Sequence, residues 1–148
     1  MRVEESVVID RPIDEVWASL TDLFNGPRAW GRHVLAVRQT SPGPFGVGST
    51  MQIRMVILGF ETRLNMMVSE WDPPHVVAFR GASGGPFRSG TLHYDLQTVG
   101  NGTRMVRSAE IEPNGPMKLV WPLFRPFALR GMRGASRNVK TFIEGKPR

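Results

Sequence analysis

Glu5, His33, Tyr94 and Arg107 are the side chains whose types and placement could do chemistry in this sequence. Glu5 alternates with Val3, Val7 and Ile9, and Arg107 with Met105, Ala109 and Ile111. In extended strands, both would share a face with apolar neighbours. Tyr94 lies between Leu92 and Leu96 and would present its hydroxyl on an apolar face as well. His33 follows Trp30 closely, near the expected mouth of a cavity. An inward Glu5 and Arg107 should pair with each other or contact a polar ligand, because unpartnered burial costs several kcal/mol or shifts a pKa. Such a set could also move protons, so these four are the candidate catalytic residues. Each can equally be read as a solvent-facing or structurally paired group, and the catalytic assignment stays open.

Other chemistries have little footing. The three histidines, His33, His75 and His93, fall on separate elements and lack metal-ligand spacing, so no metal site is expected. Alternation turns His93 and Asp95 away from Leu92 and Tyr94, toward solvent. The run Gly43-Pro44-Phe45-Gly46-Val47-Gly48 leads into a strand rather than a helix, and so lacks the helix N-terminus that a phosphate cradle needs. No Ser-His-Asp arrangement is legible. No cofactor is expected, and the absence of cysteine removes thiol and disulfide chemistry.

The elements that must position these groups follow from changes of period. Val3 to Ile9 reads as a strand; after Pro12 the apolar spacing becomes helical at Ile13, Val16, Trp17 and Leu20. Pro12 suits a helix start, and Asp14 and Glu15 favour its positive end. Asp22 to Trp30 reads as a second short helix, and His33 to Thr40 as a strand. Met51, Ile53, Met55 and Ile57 then alternate strictly, as do Leu64, Met66 and Val68 in the stretch Glu61 to Trp71. Strands follow over His75 to Arg80, Arg88 to Leu96 and Thr103 to Ile111, the last pair joined at the hairpin signal Gly100-Asn101-Gly102. The helical period then returns, placing Leu123, Phe124, Phe127, Gly131, Ala135, Val139 and Phe142 on one stripe. The expected class is α+β: a curved antiparallel sheet of six to seven strands around one long C-terminal helix, begun between Pro116 and Phe127, with two short helices after the first strand.

At 148 residues, 41% hydrophobic and 22% charged, a single globular domain over 1–148 is expected. The net charge of +6 comes mostly from scattered arginines; the densest set, Arg125, Arg130, Arg133, Arg137 and Lys140, reads as a solvated helix face. No contiguous basic run suggests nucleic acid. The most apolar window, Leu119 to Leu129, is too short to span a bilayer, and the start lacks a signal-peptide core, so a cytoplasmic protein is expected.

Several segments in this order resemble the START, polyketide-cyclase and lipid-transport superfamily of helix-grip proteins. They are Ser6 to Trp17, Asp22 with Trp30, Gly46-Val47-Gly48-Ser49, Val68 to Pro74, Gly102-Thr103-Arg104 and Asn138 to Glu144, and they cover essentially the whole chain. The resemblance implies a deep apolar cavity for lipids, sterols, polyketides or other aromatic metabolites. It carries over no catalytic residue, since that superfamily has no shared catalytic signature.

Alternation and the helix stripe nominate the cavity wall. From the strands come Met51, Ile53, Met55, Leu64, Met66, Val77, Phe79, Leu92 and Tyr94; from the helical segments come Trp30, Phe124, Phe127 and Ala135. The same residues would serve equally well as plain core. The expected function is binding of an apolar small molecule, as carrier or sensor, by a monomer or homodimer. The alternatives are a cofactor-independent cyclase or dehydratase acting on a polyketide-like substrate, and a docking module for membrane or protein using the basic C-terminal helix.

Overall fold

The computed structural model describes residues 2–22, 34–57, 59–82, 87–113, 115–133 and 135–145. The elements run β1 (Arg2–Ile9), α1 (Ile13–Thr21), β2 (Val34–Gln39), β3 (Thr50–Ile57), β4 (Phe60–Asp72), β5 (Val76–Ala82), β6 (Phe87–Val99), β7 (Gly102–Pro113), α2 (Gly115–Arg133) and α3 (Ala135–Glu144). All seven strands form one sheet in the order β1-β7-β6-β5-β4-β3-β2, and every neighbouring pair is antiparallel. The expected second helix over Asp22 to Trp30, and with it Trp30 and His33, lies outside the described residues.

Local chemistry accounts for these elements. Pro12 caps α1 in an extended conformation, and its carbonyl accepts from Glu15 and Val16 N–H. The β6–β7 hairpin turns through Gly100 and Asn101, with Gly100 at φ 59°, a left-handed angle that glycine adopts freely. Gly102 meets a different demand: a Cβ there would lie 2.7 Å from the Ile9 carbonyl oxygen, so only glycine lets β1 close against this hairpin.

One face of the sheet is the core. Ile9, Val68, Met51, Ile53, Val77, Phe79, Leu96 and Met105 pack there with Val16 and Leu20 of α1 and Val139 and Ile143 of α3. Helix α3 lies against β1, α2 against β1 and β7, and α1 against β6 and β7.

The C-terminal region departs from expectation. It is two helices of 19 and 10 residues, not one long helix. Pro122 and Pro126 inside α2 each remove an N–H rung, and Gly131 weakens the helix further along. Leu123 is 73% exposed on α2, whereas Val139 on α3 is buried. Lys140 also departs from the solvated-face reading, because its Nζ donates to the Val8 carbonyl at 2.6 Å and binds Glu144.

Candidate ligand-binding site

The inner sheet face is built by alternation in register. Glu5 stands opposite Arg107, Arg107 opposite Tyr94, Tyr94 opposite Val77 and Val77 opposite Trp71, so one row crosses β1, β7, β6, β5 and β4. The adjoining row is apolar throughout: Val3, Ala109, Leu92, Phe79 and Val68. Toward β3, Met66 faces Met51 and Leu64 faces Ile53.

Among the nominated wall residues, Met51, Ile53, Val77, Phe79 and Tyr94 are buried in this face. Met55, Leu64, Met66 and Leu92 pack on the same cluster but remain half-buried. The strand residues thus come together on one surface. Phe124 and Phe127 lie on α2 and Ala135 on α3, but their side chains lie outside what is described, as do Trp30 and His33 altogether.

The polar members of the row are the unusual feature. Glu5 Oε1 and Arg107 Nε and Nη1 are buried and have no hydrogen-bond partner, and neither has Ser136 Oγ. Ser136 shares the buried face of α3 with Val139 and Ile143 and is itself fully buried. Burial pushes the Tyr94 hydroxyl above the ordinary tyrosine value; the charge of Arg107 and its hydrogen bond to the phenol oxygen oppose this only in part. A buried polar group without a partner costs about 1–3 kcal/mol, and charged groups cost more. Native proteins rarely leave such groups clustered in a dry core. The row fits a surface that meets polar atoms from outside the chain.

Sequence reasoning missed two contributors. Trp71 would fall on the outer face by simple alternation, but the β4–β5 register shifts between Val68 and Glu70 and turns it inward. There it meets Trp17 of α1 edge to face at 5.1 Å, and Phe45 of the β2–β3 loop at 5.3 Å. The signal available was a large aromatic side chain out of phase with Leu64, Met66 and Val68. Ser136 gave no signal, since a serine in a helix usually faces water.

The outer face behaves as expected for solvent-facing groups. His93 and Asp95 border an open concavity of about 440 Å³ with Arg2, Thr91, Gln97, Ser108 and Glu110. His93 Nε2 lies 4.0 Å from Glu70 Oε2. Among the described residues, no group of three or more histidine, cysteine, aspartate or glutamate side chains is placed to hold a metal ion.

The family model described as polyketide cyclase / dehydrase and lipid transport matches residues 1–144. The chain belongs to this family. An uncharacterized protein of Mycobacterium tuberculosis is 26% identical over 134 residues, which span 86% of this chain and 77% of that relative. A START superfamily protein from Mycobacterium smegmatis has a similar fold, with TM-score 0.81 and 13% identity over 97% of both chains. An aromatase/cyclase from a Streptomyces species is also similar, with TM-score 0.72 and 13% identity over 98% of this chain and 96% of that one. At such identities the likeness to these solved structures concerns the fold. Among the described residues of this family member, no helix is long and apolar enough to cross a membrane.

Proposed function

We propose that this chain binds an apolar small molecule between the inner sheet face and the helices, and that it acts as a carrier or sensor for that molecule. The observation carrying this reading is an apolar wall interrupted by one row of buried, unpartnered polar atoms on Glu5 and Arg107. Few, well-placed polar groups on an apolar surface are the usual make-up of a small-molecule site. The half-buried Met55, Leu64, Met66 and Leu92 supply an adaptable wall for such a ligand. The family description and the aromatase/cyclase neighbour support a lipid, polyketide-like or aromatic ligand. Tyr94 holds its proton through neutral pH, so it serves as a hydrogen-bond partner and not as a base, which favours holding a ligand over abstracting a proton from it.

Native mass spectrometry of freshly purified protein tests this reading. A small molecule that co-purifies, and is lost on organic extraction, is the expected result. A bare chain that also takes up no apolar probe would count against it.

A further inference from the structure

Resting on the binding reading above, we infer that Glu5 and Arg107 form a polar subsite for a neutral ligand head offering both a hydroxyl donor and a carbonyl acceptor, and that Glu5 turns away free carboxylates. The two residues are directly opposed across β1 and β7, which sets their Cβ atoms about 5 Å apart. A carboxylate accepts and a guanidinium donates, so the pair presents one site of each kind on the same surface. Glu5 Oε1 lacks a donor, while Arg107 Nε and Nη1 lack acceptors. Nε and Nη1 do not share the forked edge that grips both oxygens of one carboxylate side-on, so bidentate capture of an acid is not the arrangement left open.

A head with a hydroxyl and a carbonyl a few bonds apart, as in a monoester of glycerol, answers both residues at once. A free carboxylate answers only Arg107 and brings a second anion beside Glu5. The neighbours on this face are Val3, Val7, Met105 and Ala109, an apolar setting in which like charges are poorly screened. On the β6 side, Tyr94 already takes a hydrogen bond from Arg107, which leaves Nε and Nη1 for the ligand acceptor. The apolar remainder then runs along Leu92 and Phe79 toward Met66, down the adjoining strands.

Displacement of the neutral fluorophore N-phenyl-1-naphthylamine tests this, with glycerol monododecanoate and sodium dodecanoate as competitors below their aggregation concentrations. The unmodified protein should be displaced by the monoester at least about tenfold more effectively than by the acid. Glu5→Gln, which keeps shape and removes charge, should narrow or reverse that preference, and Glu5→Asp should retain it. Equal or better displacement by dodecanoate overturns the inference, as does a preference that Glu5→Gln leaves unchanged. If Glu5→Gln does not fold, the preference of the unmodified protein decides alone. A dye that binds but yields to neither competitor defeats the subsite and leaves the binding reading standing. Failure of dye and competitors alike to bind, by fluorescence and by native mass spectrometry, defeats both.

Discussion

The Arg11 guanidinium donates to the backbone carbonyl of Glu144 at 2.6 Å, tying the turn before α1 to the end of α3. The same side chain donates to the Asp10 carbonyl at 2.7 Å, and the Asp10 N–H donates back to Glu144 Oε2 at 3.2 Å. Thr103 Oγ1 adds a bond from β7 to the Arg11 carbonyl at 2.8 Å. Together with Lys140 on the Val8 carbonyl, these contacts fix where α3 sits on β1, and so where Ser136 stands relative to Glu5 and its row.

Replacing Arg11 by Met should therefore destabilise the fold. Hydrogen bonds from a charged donor contribute about 1.5–3 kcal/mol, and the orphaned carbonyls add to the loss. A urea titration should show a lower midpoint with an unchanged slope. A midpoint equal to that of the unmodified protein would mean that the clamp is ornamental.

Glu144 gives this clamp a pH dependence. Its carboxyl is held below the usual carboxylate value chiefly by the Lys140 hydrogen bond; burial opposes this, and the Asp10 N–H and the charges of Lys140 and Arg11 add to the lowering. A lowered folded value means that the contribution is present above the ordinary carboxylate value and is lost as pH falls through the lowered one. Lys140→Met should raise the Glu144 value and move acid unfolding to higher pH. A carboxyl-carbon NMR titration that leaves Glu144 in place in that variant would contradict this assignment.

Tyr94 is the single tyrosine in the chain, so its ionisation can be followed without assignment. Burial raises its value and Arg107 partly offsets the rise. Tyrosinate absorbance should appear only above the ordinary tyrosine range, and Arg107→Met should delay it further. Stability linked to this group is complete below the ordinary value and is lost as pH rises through the raised one. Titration at the ordinary value would place Tyr94 in water instead of in the row with Arg107.

Phe79 and Leu92 are neighbours in register but should respond differently to truncation. Phe79 is fully buried, and Phe79→Ala should cost about 3–5 kcal/mol of stability. Leu92 is half-buried, so Leu92→Ala should cost less than about 2 kcal/mol while weakening binding of N-phenyl-1-naphthylamine more than its stability loss implies. Denaturation and dye titration of both variants check this. A Leu92→Ala protein with unaltered dye affinity would remove Leu92 from the wall.

Much of this arrangement was legible in the sequence because a strand of period two assigns faces without knowledge of the rest of the fold. Glu5 with Val3, Val7 and Ile9, and Arg107 with Met105 and Ala109, fall on the inner face as alternation requires. Alternation fails where the register slips. The shift at Val68 and Glu70 turned Trp71 inward, and a second shift between Val34 and Ala36 left Leu35 exposed although its type suggested burial. Helix continuity was harder to read, because prolines at 122 and 126 are compatible with a kink as well as with a late start. The Lys140 contact with Val8 joins positions far apart in sequence, and no local pattern encodes it.

Fluorine NMR of protein carrying fluorotyrosine at Tyr94 tests binding between sheet and helices most directly, since one tyrosine gives one resonance on the inner face. Titration with N-phenyl-1-naphthylamine should shift or broaden that resonance saturably, with the midpoint that dye fluorescence gives. A resonance that stays fixed while the dye binds would place the ligand elsewhere and contradict the assignment of the site.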